Sequence, residues 1–305
     1  MADGTAGVGD SRTRFGFVAI VGRANVGKST FLNAVVGQKV SITSRKPQTT
    51  RHRIVGVRTD GEGQIAFVDT PGIQLGPRRG LNRAMNTQAR AALRGVDVVL
   101  FMVEALKWTE EDAYVGQLLA DVAAPRILVV TKVDRVRDKR QLLPFLQQTA
   151  AVLPFDETVP ISVHDARSLD ALLRCIQARL PPGPFMYPVD AVTDRSVRQL
   201  AGEIVREKLM RRLSDELPYA LGVVVDDWQE KPRSVRIAAT IWVEKESQRG
   251  IVIGSGGAVL REVGTRARQE LEGMLGKRVH LTTWVKTRAG WADDPAALSE
   301  LGLDD

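Results

Sequence analysis

The residues with the clearest chemistry are Gly22-Arg-Ala-Asn-Val-Gly-Lys-Ser29. They fit G-x-x-x-x-G-K-[ST], the loop that cradles nucleotide phosphates. Its glycines let backbone N–H groups wrap an anion, and a following helix N-terminus adds positive potential. Lys28 is expected to reach the β- and γ-phosphates, and the Ser29 hydroxyl to bind magnesium. Gly22, Asn25, Val26, Gly27 and Thr30 complete the cradle.

A phosphate loop alone does not choose a base. Two downstream segments do. Asp69-Thr-Pro-Gly72 ends an apolar run, so Asp69 can serve magnesium and the Gly72 N–H can meet a γ-phosphate. Thr131-Lys-Val-Asp134 ends another. Asp134 can accept from the N1–H and N2–H₂ groups of guanine, which adenine does not offer together, while the Lys132 stem lies along the base. In this order, at strand ends, the three motifs predict a guanine-nucleotide site. The residue after Gly72 is Ile73, where Ras-like enzymes place a glutamine that orients the attacking water. Slow unaided turnover is therefore expected.

These groups need a scaffold to hold them. Apolar runs of strand length occur at 15–21, 64–69, 97–103 and 126–130, with helix-period segments between them, including 28–36. Asp60-Gly-Glu-Gly63 signals a hairpin. The pattern predicts an α/β domain over residues 15–180, with a mostly parallel sheet and helices on both faces. Pro181-Pro-Gly-Pro184 and Pro188 mark a linker at 181–193. Residues 194–289 read as helix, strand, strand, helix, helix, strand, a smaller α+β domain. Residues 1–14 read as a flexible tail and 290–305 as an acidic one.

Composition narrows the class. With 305 residues and one cysteine, Cys175, the chain has room for two domains and no intrachain disulfide. No run approaches the roughly 18 apolar residues of a membrane span. Residues 1–14 lack the apolar stretch of a secretion signal. The setting expected is the cytoplasm. Net charge is +7. Residues 1–190 carry 25 basic and 18 acidic side chains, residues 191–290 carry 18 and 13, and the last fifteen carry five acids alone. A basic surface on both halves suits RNA, and would also allow peripheral contact with anionic lipid.

The second half supplies an RNA motif. Gly254-Ser-Gly-Gly257 is a G-x-x-G turn set after two strands and before a helix and a strand, the type II KH arrangement. Glycines let the turn approach an RNA backbone. Ser255 and Gly256 bring no charge, so Lys245, Arg249 and Arg261 are the expected phosphate partners.

The chain resembles the translation-factor-like GTPases, and more closely the Era family of ribosome-associated GTPases. The stretch Val40-Ser-Ile-Thr-Ser-Arg-Lys-Pro-Gln-Thr-Thr-Arg-His-Arg53 looks like that family's first switch. The resemblance continues through Thr193–Ser196, Ile204–Met210, Glu216–Tyr219, Trp284–Lys286 and Gly290–Asp294, and covers nearly all of 15–302. It implies that Thr50, with Thr49 as the alternative, is a magnesium ligand. It implies that Ser162 and Val163, at the usual Ser-Ala position, offer backbone to guanine O6. Related GTPases with asparagine at the place of Asn25 hold a potassium ion near the phosphates. Lys28, Thr50, Gly72 and Asn25 thus form the expected catalytic set. The partners implied are small-subunit ribosomal RNA near its 3′ end and the 30S subunit, bound by a monomeric, cytoplasmic GTPase. Thr131 replaces the family's common asparagine. The rivals are a tRNA-modification or other RNA-associated GTPase, and a GTP-gated RNA-binding module with negligible turnover.

Overall fold

The computed structural model describes residues 13–44, 46, 49–73, 80–214 and 217–302. The first domain alternates strand and helix: β1 (Arg14–Val21), α1 (Lys28–Val36), β2 (Ile54–Asp60), β3 (Gly63–Asp69), α2 (Gly80–Ala91), β4 (Val98–Glu104), α3 (Glu110–Leu119), β5 (Arg126–Thr131), α4 (Leu142–Ala150), β6 (Glu157–Pro160) and α5 (Ala166–Gln177). The sheet order is β2-β3-β1-β4-β5-β6, with β2 antiparallel to β3 and all other pairs parallel. Val18–Val21, Val98–Val103 and Ile127–Val130 are fully buried because helices cover both faces. Parallel order also puts the carboxyl ends of β1, β3, β4 and β5 on one edge, which is where an open α/β sheet binds ligands.

The second domain runs α6 (Val197–Arg212), β7 (Gly222–Lys231), β8 (Ser234–Val243), α7 (Glu246–Ile253), α8 (Ala258–Leu275) and β9 (Arg278–Thr287). Its sheet order is β7-β8-β9, antiparallel then parallel. Val235, Ile237, Ala239, Ile241 and Val243 alternate inward against Ala201, Ile204, Val263 and Ala267 of the helices. A Ser196–Gln199 capping box starts α6. Every residue from Leu200 to Met210 is buried, charged ones included. This helix is covered on one side by its own sheet and on the other by the first domain.

Two expectations for the ends are corrected. Arg14 is not tail: it opens β1 and its Nη1 donates to the Leu180 carbonyl at 2.5 Å. Residues 290–302 are not a tail either. A 3₁₀ turn at Trp291–Asp293 and α9 (Pro295–Glu300) pack against the body. Trp291 is fully buried among Leu81, Met85, Trp242 and Leu298, and its Nε1 donates to Ala220 O at 3.3 Å. The acid count concealed an apolar stripe of Trp291, Ala292, Ala297 and Leu298. Residues 1–12 and 303–305 lie outside the described residues.

The proline-rich segment is docked rather than loose. Phe15 N–H donates to Pro181 O, the Gln64 amide to Tyr187 O, and the Thr193 hydroxyl to Val55 O.

Candidate functional site

Much of the predicted nucleotide site meets at the carboxyl edge of the large sheet, around a cavity of about 580 Å³, a volume suited to a small-molecule ligand, with Asp69, Asp134, Ser162 and Val163 outside its lining. Ala24, Asn25, Gly27, Lys28, Ser29 and Thr30 line it together with Ile42, Thr43, Ser44, Thr49, Thr50, Gly72, Lys132 and Arg135. The phosphate loop is shaped by left-handed backbone. Gly22 has φ 151°, and a Cβ there would stand 2.5 Å from Met102 O. Asn25 has φ 65°, a conformation asparagine tolerates better than most residues. Gly27 caps α1. The Val26 side chain is buried in the core, so only its backbone can serve a ligand. Its carbonyl accepts from the Thr131 hydroxyl at 2.7 Å, which ties the phosphate loop to the base loop. That tie is what threonine contributes in place of asparagine.

Lys28 Nζ donates to Gly22 O and Arg23 O, both at 2.9 Å. Burial lowers its pKa to about 8. A bound polyphosphate would reverse that shift by supplying opposite charge.

Three hydroxyls converge on Asp69. Ser29 Oγ donates to Oδ2 at 2.8 Å, Ser41 Oγ lies at 3.3 Å, and Thr50 Oγ1 is 2.7 Å from Ser29 Oγ. Among the described residues Asp69 Oδ1 is buried without a hydrogen-bond partner, and burial raises the pKa of the carboxyl. A buried carboxylate oxygen left over beside two hydroxyls is what a divalent cation relieves. The residues present therefore fit magnesium, held by Ser29 and Thr50 with Asp69 behind them. The competing threonine points elsewhere: Thr49 Oγ1 donates to Lys46 O, and Thr49 O accepts from Arg206 of α6. Gly72 sits against the loop so closely that a Cβ would lie 2.9 Å from Ala24 N. Ile73 is buried among Ala19, Val21, Ala89 and Phe101, so its side chain faces away from any attacking water.

The base side is open. Asp134 is exposed, and a hydrogen bond from Ser162 holds its carboxyl below the usual range, ionised and ready to accept. Ser162 is buried, and Val163 packs partly on the core. Lys132 has φ 59°, and its Nζ donates to Asn25 O at 2.7 Å. Glu104 then joins the halves: it pairs with Lys132 and Arg23, each at 3.1 Å, while Arg23 also meets the fully buried Asp112 at 3.1 Å. Arg23, Glu104, Asp112 and Arg135 were not singled out from sequence. Arg23 lies inside the motif but at an unspecified position, and the others come from β4, α3 and the turn after β5.

In the second domain the G-x-x-G turn is formed as expected. Gly254, Gly256 and Gly257 have φ of 74°, 55° and 76°. Gly254 is enclosed, since a Cβ would stand 2.5 Å from Val259 Cγ2, while nothing lies within 4 Å of one at Gly256 or Gly257. Ser255 and Gly256 are exposed. The flanking cations are less free than their charges suggested. Arg249 pairs with Glu246 at 2.7 Å and bonds Val285 O, and Arg261 folds back on Gly256 O at 3.3 Å. Lys245 is exposed at the start of α7.

The family model described as a 50S ribosome-binding GTPase matches residues 17–132, and that of the KH domain matches 216–292. GTPase Era of Stenotrophomonas maltophilia is 50% identical over 289 residues, covering 95% of this chain and 97% of that protein. The chain belongs to the Era family of GTPases. GTPase Era of Coxiella burnetii is 46% identical over 293 residues, with 96% and 99% covered. The solved structure of a single-residue variant of Aquifex aeolicus Era bound to GDP·AlF₄⁻ superposes with a TM-score of 0.92 at 38% identity, covering 96% of this chain and all of that one. Era in complex with MgGDPNP and nucleotides 1506–1542 of 16S ribosomal RNA matches with the same score, identity and coverage. Family membership fixes the pairing of a GTPase domain with a KH domain, and among the described residues no helix is long and apolar enough to cross a membrane.

Proposed function

We propose that this protein hydrolyses GTP with magnesium, binds small-subunit ribosomal RNA near its 3′ end, and serves as a nucleotide-controlled switch in assembly of the 30S subunit. One observation carries the switch. Thr50 stands in the cation cluster with Ser29, and the preceding residue, Thr49, gives its carbonyl to Arg206 of the KH domain. The same segment reaches α6 again through Thr43 N–H, which donates to Glu207 at 2.9 Å, and through the Lys39–Glu207 pair at 2.7 Å. A change of one residue's position at the γ-phosphate is therefore a change at the RNA domain.

When bound, magnesium supplies charge that neutralises the oxygens between the β- and γ-phosphates. The chain's own groups bind and orient. Lys28 holds phosphate oxygens, the Gly72 N–H faces the γ-position, and Asp134 and Lys132 fix the base, with backbone at Ser162 and Val163 beside it. Buried Ile73 makes unaided turnover slow. Asn25, in the cradle, is the residue that would hold a potassium ion there. The basic KH surface around Gly254–Gly257, with Lys245, Arg249 and Arg261, takes the RNA. The same reading makes the protein a cytoplasmic monomer, with its basic charge as the ground for peripheral contact at the inner face of the cell membrane.

The test is GTP hydrolysis in matched potassium and sodium, with and without RNA carrying the small-subunit 3′ end. Turnover should be about tenfold faster in potassium, since charge placed at the developing transition state is worth about that or more. RNA should change the rate further. Equal rates in the two salts would remove the role of Asn25. RNA bound equally well with GDP and with a GTP analogue would sink the switch.

A further inference from the structure

A second cavity lies where the two domains meet, apart from the nucleotide pocket. It measures about 140 Å³, too small for a nucleotide and large enough for a tetrahedral oxyanion with a few waters. Arg51 and His52, directly after Thr50, form one wall. Arg195, from the segment entering α6, and Arg198 and Arg206 of α6 form another, and the backbone of β7 closes it.

Four guanidinium groups thus border one small volume. Two carboxylates also border it, and both are engaged. Arg206 holds both oxygens of Glu203, at 2.8 and 2.6 Å. Arg288 holds Glu300 at 3.0 Å. His52 adds no charge, because burial lowers its pKa to about 4. Arg51 donates to Leu221 O and lies over the Trp291 ring. Arg198 donates to Val225 O and Asp226 O. Arg195 is half-buried and makes no side-chain hydrogen bond or ion pair among the described residues, and Glu203 and Asp194 act on it only through space. A half-buried guanidinium in a concentration of like charge calls for an anion, and its planar fork matches phosphate oxygens.

We propose that this cavity binds a phosphate oxyanion, with Arg195 as its principal ligand. The phosphate can be inorganic phosphate or a phosphodiester of bound RNA, since both present the same oxygens. Its place gives it an effect. A phosphate shared by Arg51 and α6 would fasten the segment that carries Thr50 onto the RNA domain.

The experiment uses the full-length protein with magnesium and a non-hydrolysable GTP analogue at saturation, so that the γ-phosphate position is filled. Inorganic phosphate is titrated by calorimetry against chloride of equal ionic strength, in the wild type and in Arg195→Gln. One phosphate per chain is expected, weakened at least tenfold in the variant. Arg195→Gln should keep its analogue affinity and its melting temperature in chloride, which shows that it folds. A second arm measures the salt dependence of binding to small-subunit 3′-end RNA. A log–log slope smaller by about one in the variant assigns the site to an RNA phosphate. Lost phosphate binding with an unchanged slope assigns it to the free ion. Wild type and variant alike in both arms overturn the proposal. The phosphate arm contains no RNA, so its result stands apart from the RNA-binding reading.

Discussion

Asp134→Asn should weaken GTP binding by about 10²–10³-fold and make xanthosine triphosphate the better ligand. The carboxylate is exposed, held ionised by Ser162, and set between Lys132 and Arg135, which line the cavity. As an ionised acceptor it takes two hydrogen bonds from the guanine edge, each worth about 1.5–3 kcal/mol. An amide offers one acceptor and turns a donor against the other guanine donor. Xanthine carries a carbonyl at that place, so the same donor becomes a partner. The fold should not change, because the side chain is exposed and the amide oxygen can still accept from Ser162. Titration with fluorescent nucleotides reads the result directly. Unchanged GTP affinity would show that another group reads the base.

That prediction is clean because the base loop is braced from behind. Thr131 hangs on Val26 O, and Lys132 spans Asn25 O and Glu104. Glu104 and Asp112 in turn grip Arg23 of the phosphate loop. Phosphate and base recognition therefore rest on one charge-assisted network. A change at Asp134 alters what the loop presents and leaves its position intact.

The nucleotide site was legible in sequence because each of its parts is local. A strand end, a tight turn and a helix start are coded by consecutive residues, so Gly22–Ser29, Asp69–Gly72 and Thr131–Asp134 could be read without knowing what surrounds them. The sheet followed for the same reason, from apolar runs at regular spacing. The short strand β6, with Thr158 and Pro160 in four residues, gave no such run. Long-range charge pairing was not legible. In the sequence Asp112, Glu203, Arg206 and Glu207 look like solvated surface charges, and only the fold buries them against partners of opposite charge. Helix α6 shows why: its apolar stripe predicts one buried face, whereas the first domain covers the polar face too. The C-terminal segment failed in the opposite direction. Counting its acids concealed the one tryptophan that anchors it. The KH turn was readable as a motif, but the engagement of Arg249 and Arg261 with neighbours was not.

Gly256→Asp should cost about 30–100-fold in RNA affinity while leaving nucleotide affinity and stability in place. The position is suited to a discriminating test. Its φ of 55° and ψ of 22° lie in the left-handed region, where aspartate is among the better-tolerated side chains. Nothing lies within 4 Å of an added Cβ, so the turn can keep its shape. What changes is the surface. A KH turn works by bringing bare backbone against RNA phosphates. A carboxylate there fills the gap and repels the backbone, and the loss of about 2–3 kcal/mol combines a blocked contact with like charge at short range. Gly254→Ala is the misleading alternative, because its Cβ would strike Val259 Cγ2 and N at 2.5 and 2.9 Å and break the turn itself. Ser255→Lys is the informative converse. Arg249 and Arg261 already spend their charge on Glu246 and Gly256 O, so a free ammonium in the loop should tighten RNA binding and steepen its salt dependence. Gel-shift titration of the two variants against small-subunit 3′-end RNA, with GTP-analogue affinity as the control, decides it. RNA affinity unmoved by both would place the RNA surface elsewhere on the domain.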